Sequence, residues 1–429
     1  MKKTLAAVAV LGAFAGSALA ADVTLYGKVD LGLNYTHTDV DGVSSDKWGM
    51  QSGQNSGSRF GIKGTEQISE GLTVGFQLES GFDADDGRFK YGNDDGERIF
   101  GREARLFVQT DFGELGFGRM GGLDSGSGSY DIFGGNAGVF GTGWSGIGSD
   151  SDIFLGMSSR YDNMITYKSP TFGGVTVYAQ ASLKQDSSKD GEEASSKADR
   201  YYALGATGKW GALSTGLVAS MFDYGHGERL AGDATITGVY EPGPGAKPEV
   251  DIDDNVKPVT TDDDGYAVGA FAAYDFGVTK VTLGAQYFDG VKQSRGTALG
   301  DGEISFTPEI GAINDGGAIS FNGSKVTFDY GDESAGVKGY GVMLGAVTPI
   351  ASGALYTSIG YRDSENADED INGQADKTAY QVAIGYTYPL SKRTYLYTAA
   401  GYYQEEVDDG ADEVKSKTTE VVAGIVHNF

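Results

Sequence analysis

The sequence predicts an all-β fold, a 16-stranded antiparallel transmembrane β-barrel. Three observations lead there. Short segments alternate apolar and polar residues. In Tyr380–Tyr388, one face carries Tyr380, Val382, Ile384, Tyr386 and Tyr388, and the other carries Gln381, Ala383, Gly385 and Thr387. A period of two is a strand period, and aliphatic residues flanked by Tyr suit a strand whose ends lie where hydrocarbon meets headgroups. About 16 such segments can be read, an even number as a closed bacterial barrel requires. The connections between them alternate strictly between short and long.

The segments fall near 22–35, 57–66, 71–82, 99–111, 113–120, 160–169, 174–184, 199–210, 211–223, 265–276, 278–289, 337–349, 353–362, 377–389, 393–405 and 418–429. Most have roughly the ~9–11 residues that a tilted membrane strand needs. Short connections such as Ser69–Gly71, Asp111–Gly113, Asp275–Gly277 and Pro389–Lys392 hold the Gly, Pro, Asp and Ser of tight turns. Long ones cover 36–56, 83–98, 121–159, 185–198, 224–264, 290–336, 363–376 and 406–416, and most are acidic. A soluble sandwich has no reason to gather every long loop on one side, whereas an outer-membrane barrel does so. No domain boundary is apparent, and the Pro-rich stretch from Glu241 to Pro258 sits inside one loop. An open sheet in lipid would leave edge N–H and C=O groups unpaired at several kcal/mol each. The first segment (Leu25, Val29, Leu31, Leu33 on one face) is therefore expected to pair with the last (Val421, Ala423, Ile425, His427, Phe429).

Residues 1–20 read as a signal peptide, leaving 21–429 as the barrel. Lys2 and Lys3 precede a short apolar run, and Ala18-Leu19-Ala20 has the small-x-small pattern of a cleavage site. The run falls short of the ~20 residues of a spanning helix, and no later stretch is apolar enough to be one. The chain has 33 basic and 60 acidic residues, a net charge of -27; without Lys2 and Lys3 the count is 31 against 60, a net of -29. Such a chain repels nucleic acid. It has no cysteine, hence no disulfide framework and no thiolate metal site.

Several pieces resemble the general porins of Gram-negative outer membranes. They are Leu25-Tyr26-Gly27-Lys28, Ser58-Arg59-Phe60-Gly61-Ile62-Lys63-Gly64-Thr65-Glu66, Leu115-Gly116-Phe117-Gly118-Arg119, Tyr167-Lys168-Ser169-Pro170, Leu390-Ser391-Lys392-Arg393-Thr394 and the terminal Phe429. Their order spans the mature chain. The resemblance implies a homotrimer of 16-stranded barrels in the outer membrane, with the third external loop folded into the lumen. It also implies that the strand ending at Phe429 is the signal read by the barrel assembly machinery. Outer-membrane lipids and lipopolysaccharide are the expected surroundings. The third loop has Tyr130-Asp131-Ile132-Phe133-Gly134-Gly135 where the family commonly has Pro-Glu-Phe-Gly-Gly, and loops 224–264 and 290–336 are unusually long. Small outward faces such as Ala399 and Gly401 are the only local hint of subunit packing.

Parity separates lumen from lipid. With Leu25, Val29 and Leu31 outward, Tyr26, Lys28 and Asp30 point inward. With Phe60 and Ile62 outward, Arg59 and Lys63 point inward. With Ala104, Leu106 and Val108 outward, Glu103 and Arg105 point inward. With Tyr161, Ile165 and Tyr167 outward, Arg160 and Asp162 point inward. The resemblance places the basic side of a pore constriction at the same Lys28, Arg59, Arg105 and Arg160; the plainer reading is that they are solvated lumen charges. Loop 121–159 carries Asp124, Asp131, Asp150 and Asp152 and is the candidate eyelet. Asp131, with Asp124, is the expected acidic side, or else an ordinary loop carboxylate. Opposed charges across a narrow gap would make a transverse field. The acidic whole suggests weak cation selectivity, limited by screening over ~8–10 Å.

Gly116–Gly121 and Gly141–Gly146 fit GxGxxG, but Gly- and Ser-rich loop follows where a dinucleotide site needs a helix. Asp368–Gly373 opens like a calcium loop but has Ala379 where a bidentate Glu belongs. No cofactor is expected beyond loose divalent cation binding by acidic external loops. His37, His226 and His427 fall apart from one another, so no enzyme is expected. The leading function is passive passage of ions and small hydrophilic solutes. A substrate-selective, oligosaccharide-type pore could use Tyr130, Phe133, Phe140, Trp144 and Phe154 as an aromatic track, although these rings could equally anchor the loop. A surface adhesin or receptor barrel is the third reading.

Overall fold

The computed structural model describes residues 23–92, 98–141, 143–157, 160–187, 192–195, 198–225, 228–240, 249–254, 257–260, 264–291, 305–307, 310–313, 319–329, 336–367, 375–408, 410 and 413–429. The proposed signal peptide, the Asp368–Gly373 segment and His226 lie outside them. The first strands are β1 (Thr24–Val40), β2 (Val43–Ser52), β3 (Arg59–Ser69), β4 (Leu72–Gly81), β5 (Glu103–Thr110), β6 (Gly113–Met120), β7 (Tyr161–Lys168), β8 (Val175–Ser182), β9 (Arg200–Trp210) and β10 (Leu213–Asp223). Then come β11 (Glu228–Tyr240), β12 (Glu249–Asp254), β13 (Lys257–Thr260), β14 (Gly265–Asp275), β15 (Lys280–Val291), β16 (Ser305–Thr307), β17 (Ile310–Ile313) and β18 (Ile319–Asp329). The last are β19 (Val337–Ile350), β20 (Gly353–Asn366), β21 (Asp376–Pro389), β22 (Thr394–Asp408) and β23 (Glu413–Asn428).

Seventeen of these segments make one antiparallel sheet. β2 and β3 both pair with β1, β2 along Leu31–Val40 and β3 along Thr24–Lys28, so they are two halves of one strand and the wall has 16 strands. β1 also pairs with β23, from Lys28 opposite Asn428 to Val40 opposite Ser416, which closes the barrel. At the seam, Gly27 and Phe429 exchange both backbone hydrogen bonds, at 3.2 and 3.0 Å. Closure leaves no edge in hydrocarbon, as the energetics of unpaired backbone demand.

The alternation in the sequence becomes two faces. Leu106, Val382 and Ile384 are 51%, 52% and 52% exposed on the outer face. Their neighbours Arg105 and Gln381 turn to the inner face and are covered. Two readings of the sequence change. Residues 36–56 are not an open loop: β1 runs on to Val40 and returns as β2 through a tight turn at Asp41 and Gly42, both with positive φ. The long stretches 224–264 and 290–336 contain a second, six-stranded antiparallel sheet in which β11 pairs with β12, β13 and β18, and β18 with β16 and β17.

Candidate functional site

Residues 121–157 follow the inner face of the wall strand by strand. Ile132 lies over Gly205 of β9, Phe133 over Gly269 of β14, Ala137 against Gly284 of β15, Val139 over Gly345 of β19 and Ile147 over Gly401 of β22. A Cβ on Gly269 would stand 2.7 Å from the Phe133 ring, and one on Gly284 would stand 2.5 Å from the Ala137 carbonyl oxygen. Small residues on this part of the wall therefore make room for the segment. Wall side chains also grip its backbone. Gln286 Oε1 accepts from the Leu155 N–H at 2.8 Å, and its Nε2 donates back to the Leu155 carbonyl at 3.1 Å. Arg362 Nη1 donates to the Asp152 carbonyl at 2.7 Å while its Nη2 pairs with Glu405, and Gln381 Nε2 donates to the Ser149 carbonyl at 3.0 Å. All four of these side chains are buried, where hydrogen bonds act in a low dielectric.

The five candidate track aromatics are anchors. Tyr130, Phe133, Phe140, Trp144 and Phe154 are all 5% exposed or less. Phe133 packs on Phe154 with centroids 5.0 Å apart, and Trp144 meets Tyr397 edge-on at 5.9 Å. Covered rings of this kind hold the segment by apolar burial and offer no face to a sugar.

The opposite part of the wall, β1 to β7, is charged. Lys28 and Arg59 sit opposite one another across β1 and β3, and both donate to Ser56 Oγ, at 3.1 and 3.2 Å. Arg102 pairs with Glu79 at 2.6 Å, and Arg160 Nε donates to the Arg102 carbonyl at 2.6 Å. The Arg102 and Arg160 guanidiniums lie 5.3 and 4.3 Å from the Tyr91 ring centroid, an arrangement that a desolvated cation and an aromatic face stabilise mutually. Burial raises the Tyr91 phenol, but Arg102 and Arg160 outweigh it and hold it below the usual phenol value. That shift reports concentrated positive charge. Among the described residues, Glu79 is the only carboxylate within ion-pair distance of Lys28, Arg59, Arg102 or Arg160.

The site residues expected from the sequence divide into three groups. Lys28, Arg59 and Arg160 come together, joined by Arg102. Arg105 stands in a neutralised neighbouring group: it pairs with Glu103 at 3.0 Å and Glu114 at 3.2 Å and donates to Tyr130 Oη at 2.8 Å. The loop carboxylates serve the loop. Asp124 is 2% exposed and accepts from Tyr201 Oη at 2.9 Å and Ser220 Oγ at 2.5 Å, with burial pushing its carboxyl up. Asp131 accepts from the N–H groups of Gly126, Gly134 and Gly135 at 2.8, 3.1 and 2.9 Å; burial pushes it up to about 6. Asp150 is fully covered, accepts from the Gly138 N–H at 2.9 Å, and burial pushes it far up. Among the described residues of the segment, the exposed ones are the uncharged Gly128, Ser129, Gly135 and Asn136.

Two outward readings fail. Tyr161, expected to face outward, is 1% exposed and stacks on Tyr201 at 4.5 Å. A positive φ at Asn163 and a register shift between Gly118 and Met120 reverse the alternation there. Asp162 accordingly pairs with Arg98 and Arg119, at 2.9 and 2.6 Å, rather than joining Arg160. Ala399 and Gly401 lie on the inner face, Gly401 beneath Ile147, and are not part of an outward subunit surface. Phe429 is on the outer face, 46% exposed, with its ring over Gly27. Sequence reasoning missed Arg102, Tyr91, Glu79, Gln286, Arg362 and Gln381. Parity marks Glu79, Gln286, Arg362 and Gln381 as inward; Arg102 and Tyr91 lie outside strands, where parity has no meaning. Among the described residues no three His, Cys, Asp or Glu are grouped to hold a metal ion. Neither GxGxxG match is followed by an α-helix there.

A family model described as Gram-negative porin matches residues 6–303 and 231–409. An outer membrane porin protein of Bordetella pertussis is 31% identical over 451 residues, covering all of both chains. Outer membrane porin protein 32 of Delftia acidovorans is 27% identical over 450 residues, again covering both in full. Among solved structures, the anion-selective porin from Comamonas acidovorans superposes with a TM-score of 0.61 at 22% identity, covering 95% of this chain and 100% of that one, a likeness of fold.

Proposed function

The chain belongs to the Gram-negative porin family of the outer membrane, and from that premise we propose that it is a general diffusion porin, a water-filled passage for ions and small hydrophilic solutes. The observation that carries this reading is the division of faces around a closed wall. Half-exposed Leu, Ile and Val lie outside, and Lys28, Arg59, Glu79, Arg102 and Arg105 lie within. Segment 121–157 narrows the passage from one side, and the charged strands bound it on the other. Family members are not enzymes, and nothing in the passage calls for more than transit.

At the narrowing the passage favours anions. Lys28 and Arg59 bond to an uncharged hydroxyl, Ser56 Oγ, while Asp131 and Asp150 accept from the loop's own N–H groups and Asp124 accepts from Tyr201 and Ser220 of the wall. Charges within a Debye length of an ion, ~8–10 Å, govern its passage more than the total of the chain. The local sign thus opposes the net of -27, and the weak cation preference expected from that total gives way to it. The Comamonas acidovorans protein is itself anion-selective. Covered aromatics disfavour an oligosaccharide track.

We further propose a homotrimer embedded among outer-membrane lipids and lipopolysaccharide, assembled through its Phe429-terminated strand and preceded by a cleaved 1–20 signal peptide. The deciding experiment is planar-bilayer conductance of purified protein with neutral-solute exclusion. Ohmic steps with a reversal potential favouring chloride in dilute KCl are expected. Absence of conductance defeats the porin reading, and a cation-favouring potential defeats the assigned sign. Heat-resistant trimers on unboiled gels are expected; a solely monomeric band in mild detergent counts against trimerisation.

A further inference from the structure

Between β2 and β3 the chain leaves the barrel ladder. Leu31 pairs with Ser52 and Lys28 with Arg59, so residues 53–58 stand where β1 supplies only Val29 and Asp30. An ordinary bulge inserts a single extra residue; this one inserts four. We propose that residues 53–58 form a second inward element that completes the rim of the passage and sets the positions of Lys28 and Arg59, with Asp30 as its positioning residue. The proposal rests on the porin reading above.

Asp30 is on the inner face of β1 and fully covered. Its Oδ2 accepts the N–H groups of Asn55 and Ser56, both at 2.7 Å, and its Oδ1 accepts Tyr397 Oη at 2.7 Å. Its backbone is held as well: the N–H donates to Ser58 Oγ at 3.0 Å, and the carbonyl accepts from Gly53 N–H at 2.9 Å. A buried carboxylate with three donors is a strong tie. It joins the excursion to β22 across the closing seam. At the other end, a Cβ on Gly57 would stand 3.1 Å from Arg102 Nη1.

Two contacts turn this tie into a functional device. Ser56 Oγ receives both Lys28 Nζ and Arg59 Nη2. A hydroxyl offers two lone pairs and no charge, so it fixes both cations without neutralising either. The far end of segment 121–157 meets the excursion: a Cβ on Gly143 would lie 2.6 Å from the Asn55 carbonyl oxygen, and Tyr395 Oη donates to Asn55 Oδ1 at 2.7 Å. The loop, the excursion and the charged strands thus surround the passage.

Deleting residues 54–57 restores a single register between β1 and its partner strand and is the first test. The expected result is a folded barrel with raised single-channel conductance, a larger neutral-solute cut-off and a reversal potential shifted towards zero. The second test is Ser56→Ala, with Ser56→Thr as the variant that keeps the hydroxyl. Ser56→Ala should shift the reversal potential with unchanged heat stability, and Ser56→Thr should restore it. Wild-type cut-off in the deletion variant, or a wild-type reversal potential in Ser56→Ala, overturns the proposal. If the deletion does not fold, the two Ser56 variants decide alone. A silent wild-type protein defeats the porin reading instead, and a wild-type channel without anion preference leaves the cut-off to test the rim.

Discussion

The inner wall has two halves that differ although they share one parity rule. From β1 to β7 it carries Lys28, Arg59, Glu79, Glu103, Arg105 and Glu114, which bond mainly to one another or to Ser56. From β14 to β22 it carries Gly269, Gly284, Gly345, Ala383 and Gly401, covered by apolar residues of segment 121–157. The difference teaches what an inward position is for. Where water must pass, charge is retained; where the loop docks, side-chain volume is given up, because interiors pack at near-crystalline density.

The largest break in this contrast should come from Arg362, a charged residue inside the covered half. Arg362→Ala removes the guanidinium that pairs with Glu405 and holds the Asp152 carbonyl. Taking one partner from a buried pair costs about 3–5 kcal/mol, read as a lowered unfolding temperature in detergent, with noisier open-channel current as the loop loosens. Gly284→Val should cost about 1–3 kcal/mol, since its Cβ meets backbone at Ala137; the same current noise should appear with a smaller stability loss. On the charged half, Lys28→Glu with Arg59→Glu should reverse the sign of the reversal potential in dilute KCl while the barrel still folds.

A smaller effect belongs to Asp131. Its folded value of about 6 lies above the ordinary 3.8. The group therefore contributes stability at low pH that is lost as pH rises from about 4 to about 6. Acidifying from pH 7 to 5 removes one negative charge near the loop edge. Anion preference should rise with a midpoint near pH 6, and Asp131→Asn should flatten that step. The smallest change is expected from Asp150→Asn. Burial pushes that carboxyl well above its ordinary value, so the uncharged amide suits the same covered site and unfolding should move by less than about 0.5 kcal/mol.

Much of this was legible in the residues. Sixteen strands, their outward faces and the β1–β23 seam follow from period-two alternation, because hydrocarbon admits only one kind of face. Lys28 and Arg59 were legible by the same rule, whereas Arg160 precedes β7 and its inward reading leaned on an outward Tyr161 that the structure turns inward. Arg105 was placed on the right face but not in its group, since Glu103 of its own strand and Glu114 of the neighbouring β6 neutralise it. Asp124 and Asp131 were read as free acids, because the donors that occupy them come from distant strands or from turns of the loop itself. Tyr161 misled because a single positive φ at Asn163 inverts the alternation.

By itself the sequence determined a closed sheet with a wet side and an oily side, since that depends only on each residue's affinity for its solvent. Tertiary structure decided which inward charges stay unneutralised, which carboxylates the loop consumes, and that residues 53–58 turn inward around Asp30. Those outcomes depend on contacts between residues tens to hundreds of positions apart, such as Asp30 with Tyr397 and Arg362 with Asp152, and no local pattern encodes such meetings.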